Sequence, residues 1–152
     1  MVWGMYDPVD ELRGLGVHVR RTDLRTAWAI WVPDKSAVVV AAGLTRVQER
    51  CILAHQVQHL ITPEPPYADA GADAVERERL ADLGAAERLV DGRSVRKLLT
   101  VAPGADRAAE ALGVTRRVLD TWLHAHYRSK GEPTPWPAAE RDPRCAVATL
   151  RP

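Results

Sequence analysis

His55 and His59 stand four residues apart in the run Arg50-Cys51-Ile52-Leu53-Ala54-His55-Gln56-Val57-Gln58-His59-Leu60-Ile61. On a helix, positions i and i+4 share one face, so both imidazoles can reach a single ion. Zinc suits such a pair, but a catalytic zinc takes three protein ligands and keeps one position open, so a further donor must come from elsewhere in the chain. Where histidines at this spacing support hydrolysis, a glutamate directly after the first one serves as general base. This chain carries Gln56 at that position. An amide is nearly isosteric with a carboxylate and can hydrogen-bond a water molecule, yet it cannot take the proton. Losing a general base lowers a rate by about 10²–10⁴-fold, so the spacing points to zinc binding with poor hydrolysis.

The third donor is sought on the next helical segment, about residues 72–90. Val75, Glu78, Asp82, Ala85 and Leu89 fall on one stripe there, with Ala81 beside it. Two carboxylates on an inward face are an anomaly, which disappears if Glu78 binds a cation. Glu78 follows His59 by 19 residues, room for a loop and a returning helix. Glu76 competes for the role but points away from the Ala81/Ala85 stripe. Small Ala81, Ala85 and Ala86 let the two helices approach closely. Asp82, one turn beyond Glu78, would either orient a ligand from behind or pair with an arginine. Tyr67, on the intervening loop, reads as an ordinary packed tyrosine, with stabilisation of a developing oxyanion as the sharper alternative.

Local signals place these residues on defined elements. Asp7 caps a short helix over 7–15 with Pro8 at its first position. Val17–Arg21, Ala27–Val32 and Ala37–Ala42 are β-rich, and Val32-Pro33-Asp34-Lys35-Ser36 is turn chemistry, so the last two form a hairpin in a small, largely antiparallel sheet. Thr45 and Gln48 have capping-box spacing ahead of the histidine helix, which must stop before Pro63. Shorter helices follow over Ser94–Leu99, Asp106–Leu112 and Thr115–Tyr127. The expected class is α+β, with residues 1–130 as one domain. From Gly131 onward there are five prolines in 22 residues, which predicts an extended tail over 131–152.

The histidine run resembles the R-x-x-L-A-H-E-x-G-H-L-L segment of the ImmA/IrrE family of metallopeptidases. Glu78-Arg79-Leu80-Ala81-Asp82-Leu83-Gly84-Ala85-Ala86-Glu87-Arg88-Leu89 is similar to that family's E-x-x-A-(D/N)-x-F-A-A-x-L-L helix. Ala111-Leu112-Gly113-Val114-Thr115-Arg116-Arg117-Val118-Leu119 is similar to its C-terminal F-G-V-S-x-x-x-L helix pair. The resemblance covers roughly residues 15–128. It implies a zincin-like fold, zinc held by His55, His59 and Glu78, and cytoplasmic cleavage of a protein substrate, a helix-turn-helix transcriptional repressor of phage, mobile-element or stress genes. Substrate would add to a sheet edge as an extended strand. Three positions depart from the family pattern: Gln56 replaces the catalytic Glu, Gln58 a frequent Gly, and Gly84 an aromatic. The chain is then an inactive form, either a natural pseudo-enzyme or one exchanged deliberately at a single position.

Composition frames the alternatives. The chain has 152 residues, 46% hydrophobic and 27% charged, with a net charge of +1, which excludes disorder or a coiled coil as a description of the whole. No stretch approaches 18 consecutive apolar residues, and the N-terminus lacks the regions of a signal peptide. With two cysteines, Cys51 and Cys145, no disulfide framework is expected, and a reduced cytoplasmic protein is the better reading. Residues 64–92 carry eight acidic and three basic side chains, and 93–130 eight basic and three acidic. With the helix–Gly–helix spacing over 106–128, that asymmetry supports DNA binding through Arg116 and Arg117 as the rival reading. A zinc-stabilised protein that binds a partner without cutting it is the other. His124 and His126, at i and i+2, point to different helix faces and do not make a second metal site. Pro143-Arg144-Cys145 is too short a match to a thiolate that occupies zinc.

Overall fold

The computed structural model describes residues 5–62 and 71–136 and the backbone of 148–149. Helix α1 (Pro8–Gly14) starts as expected, with the Asp7 side chain accepting from Val9 N and Pro8 at the first position. Three strands follow: β1 (His18–Thr22), β2 (Ala29–Val32) and β3 (Ala37–Ala41). A single 3₁₀ turn, Pro33–Lys35, joins β2 to β3, and Ser36 closes it in the left-handed region at φ 44°.

The sheet is mixed, in the order β1-β3-β2-β4, with β4 formed by Ala148–Thr149. Only β2 and β3 run antiparallel, with Ala29 opposite Val40 and Val32 opposite Ala37. β1 lies parallel to β3, His18 opposite Ala37, and β4 lies parallel to β2. The expectation of a largely antiparallel sheet is corrected here, and the cause lies in β3. Ala37, Val38, Val40 and Ala41 are all buried, so this strand needs neighbours on both sides. β1, with exposed His18, Arg20 and Arg21, has the charged character that suits an edge.

Helix α2 (Arg46–Ile61) opens with the expected capping box: Thr45 Oγ1 accepts from Gln48 N at 3.1 Å, and Gln48 Oε1 accepts from Thr45 N at 2.9 Å. It ends at Thr62, before Pro63. Helices α3 (Ala72–Leu89), α4 (Gly92–Val101), α5 (Ala105–Leu112) and α6 (Arg116–His126) complete the fold. α4 begins two residues earlier than the apolar spacing predicts, because Asp91 caps it by accepting from Arg93 N and Ser94 N. Gly113 ends α5 at φ 64°, a left-handed position that favours glycine. Among the described residues, no helix is long and apolar enough to cross a membrane.

Two apolar clusters flank α2. On one side Leu12, Val17, Ala29, Val38 and Val40 pack against Ile52, Leu53 and Val57. On the other, Cys51 and Ala54 meet Ala85, Ala86 and Leu89 of α3 and Leu119, Trp122 and Leu123 of α6. α2 is therefore the middle layer, buried at every position from Cys51 to Gln58. Arg50 pins it at one end: Nε and Nη2 donate to Tyr6 O, both at 3.2 Å, and Nη1 donates to Gly113 O at 3.0 Å. The expected tail returns to the domain at two points, since Trp136 is buried in the second cluster and Ala148–Thr149 extend the sheet.

Candidate metal centre

A helix buried on all sides is expected to be apolar, yet α2 carries His55, Gln56 and Gln58 in its buried stretch. Burying such groups costs free energy unless each finds a partner. α3 supplies partners for His55. Ala81, Ala85 and Ala86 are buried at the α2–α3 contact, and their small side chains bring Glu78 and Asp82 within reach of the histidines.

The donor atoms converge. His55 Nε2 lies 3.0 Å from His59 Nε2 and 3.2 Å from Glu78 Oε2, and His59 Nε2 lies 3.1 Å from Glu78 Oε1. Donors each about 2.1 Å from one tetrahedral ion stand about 3.4 Å apart, so these separations fit a zinc-sized cation after small adjustments. Among the described residues, this is the group of three His, Cys, Asp or Glu side chains able to hold an ion. His55 is 4% exposed, while the Glu78 side chain keeps 41% of its surface. The cluster thus opens on the Glu78 side, as a site needs if it is to leave a position for another ligand.

Proton accounting also favours a cation. His55 Nδ1 lies 2.8 Å from Asp82 Oδ1. If Nδ1–H donates to that carboxylate, neutral His55 turns the Nε2 lone pair toward His59 and Glu78. Lone pairs then face one another unless a proton or a metal ion sits between them. In the metal-free chain a proton can take that place at pH values below the raised His55 pKa. Burial opposes ionisation of Glu78, but hydrogen bonds from His55 and His59 outweigh it and hold the carboxyl at about 2. Burial likewise opposes a charged His55, yet Asp82 and then Glu78 carry its pKa above the ordinary value. Asp82 is held low despite burial by His55 and Arg117.

Asp82 contacts both a histidine and an arginine. One oxygen takes His55 Nδ1, and the other accepts from Arg117 Nη2 at 2.6 Å. Gln56 is 1% exposed and, among the described residues, its Nε2 has no hydrogen-bond partner. Gln58 Nε2 is in the same condition, and its side chain lies against Gly84 of α3. A cavity of about 30 Å³ borders His55, Asp82 and Arg117 and is lined also by Trp28, Cys51 and Ala85.

No known family model matches this chain, and no curated protein is significantly similar to it. The chemistry available follows from the donors themselves. Two imidazoles and a carboxylate form a group that could hold a metal ion and leave a position open for another ligand.

The sequence-derived residues fall into place unevenly. His55, His59 and Glu78 come together, with Asp82 behind His55. Glu76 turns outward and pairs with Arg79 at 2.6 Å. Tyr67 and Cys145 lie outside the described residues. Arg116, offered as a DNA contact, pairs with Asp120 and Asp106 at 3.0 and 2.9 Å. His126 bonds Glu87 at 2.7 Å and stacks on Trp122 at 4.0 Å. Arg117 is the residue whose place beside Asp82 sequence reasoning did not foresee. It stands 35 positions after Asp82, and only its charge, shared with its neighbour Arg116, singled it out.

Proposed function

We propose that this chain is a zinc-binding protein of metallopeptidase type, with His55, His59 and Glu78 as ligands and Gln56 in the place of the general base. The observation that carries the reading is the convergence of three donor side chains from two helices at separations of 3.0 to 3.2 Å. Bound zinc would supply Lewis acidity toward a peptide carbonyl and lower the pKa of an attacking water. The chain's own residues do the rest. Asp82 selects the His55 tautomer whose Nε2 is free to bind, Glu78 faces the open side, and Gln56 can hydrogen-bond a water without taking its proton. The order of motifs resembling ImmA/IrrE metallopeptidases supports a protein substrate, a helix-turn-helix repressor in the cytoplasm, held and cut slowly. A second reading, a zinc-stabilised protein that captures its partner without cutting it, draws support from the same Gln56 amide, buried at 1% exposure where hydrolysis needs a base.

Metal content of the purified protein tests the site, measured by mass spectrometry beside His59→Ala and Glu78→Ala. About one zinc per chain, lost in both variants while they remain folded, is the expected result. No metal in the unsubstituted chain would overturn the reading.

A further inference from the structure

We infer that Arg117 is a positioning residue for the metal ligand His55 and acts through Asp82; this rests on the zinc reading above. The chain of contacts is continuous. Arg117 Nη2 donates to Asp82 Oδ2 at 2.6 Å, and Asp82 Oδ1 lies 2.8 Å from His55 Nδ1. One carboxylate thus bridges a guanidinium from α6 and an imidazole from α2, and each contact fixes the plane of the other.

Arg117 is itself held in place. The turn into α6 is anchored on α2, where Thr115 N donates to Cys51 Sγ at 3.4 Å, one helical turn before His55. Thr115 also caps α6. The adjacent Arg116 takes a different course and binds Asp106 and Asp120. The two arginines are therefore separable by experiment although they are neighbours in sequence.

The cavity of about 30 Å³ gives the contact its purpose. It borders His55, Asp82 and Arg117, so an unheld carboxylate has space to turn into. Asp82 turned away would leave His55 Nδ1 without an acceptor. The imidazole would then lose its preference for the tautomer and ring orientation that present Nε2 to an ion. Groups behind a ligand typically affect metal affinity by about 10- to 100-fold.

The test is zinc affinity by competition with a chromophoric chelator, together with the visible spectrum of the Co²⁺-substituted protein. Circular dichroism checks that each variant is folded. Arg117→Met should weaken zinc about 10- to 100-fold and shift the Co²⁺ bands, whereas Arg116→Met should do neither. Arg117→Lys, which keeps the charge, should recover part of the loss; it is also the variant to read if Arg117→Met folds poorly. In an Asp82→Ala background, Arg117→Met should cost no further affinity. Unchanged affinity in folded Arg117→Met, or an additive loss in the Asp82→Ala background, would overturn the inference while leaving the zinc site standing. Absence of zinc from the unsubstituted chain would remove the site and this role with it.

Discussion

Gln58 on α2 fills the space that a side chain at Gly84 on α3 would need: a Cβ built on Gly84 would stand 2.7 Å from Gln58 Cδ. The two positions are two of the three at which the chain departs from the resembled pattern, which is small at 58 and aromatic at 84. The two residues are complementary across the helix contact, with the bulk on α2 and none on α3. Gly84→Ala must push the end of the Gln58 side chain aside and should destabilise the protein by about 1 kcal/mol, the low end of overpacking costs. In a Gln58→Ala background the same substitution should stabilise by roughly 0.5–1 kcal/mol, because alanine outranks glycine inside a helix once the collision is gone. Urea unfolding of the four proteins reads both signs, and additive effects would contradict the pairing.

Gln56→Glu places a carboxylate at the buried position that follows His55 in sequence. If the metallopeptidase reading holds, the zinc-loaded variant should cleave its partner about 10²–10⁴-fold faster than the unsubstituted chain. Zinc content should be unchanged, since this residue is not a ligand. A folded, zinc-loaded variant that binds the partner and still does not cut it would favour the capture reading.

The acid cluster also predicts how stability varies with pH. Glu78, held at about 2 against an ordinary 4.5, contributes stability that is complete above 4.5 and is lost as pH falls toward 2. His55, raised above 6.5, contributes stability that is complete below 6.5 and is lost as pH rises through its shifted value. Both contributions coincide between pH 4.5 and 6.5 in the metal-free protein. A cation replaces the proton, so zinc affinity should climb with pH through the His55 transition, and saturating zinc should abolish the alkaline loss. Melting temperatures from about pH 4 to 9, with and without zinc, check this; an alkaline loss that zinc leaves untouched would contradict it.

Much of the site was legible because its signals are local. The i,i+4 spacing of His55 and His59, the Thr45/Gln48 capping box and the Glu78/Asp82 pair each follow from helical periodicity, and the structure shows them where that periodicity puts them, although Val75 at the start of the same stripe is 70% exposed. Two features were not legible. Strand spacing assigns faces but not neighbours, so nothing in β1, β2 or β3 taken separately told that β1 would cross to the far side of β3. Arg117 looked like one of several surface cations. Its partner is chosen by the anchoring of α6 on Cys51, a contact 64 residues apart in sequence.

The position of α2 between the two apolar clusters has a kinetic consequence. Neither cluster can loosen alone, because Leu53 and Val57 belong to one and Cys51 and Ala54 to the other. Opening either exposes the helix they share. The backbone amides from Cys51 to Gln58 should accordingly exchange with solvent deuterium only through global unfolding, the slowest class in the molecule. Those of α4, whose Val101 is 74% exposed, should exchange through local opening. On this reading His55 rides on the last segment to melt, whereas His59, near the end of α2, and Glu78 lie outside it, so loss of a bound ion by local fraying would begin at one of those two.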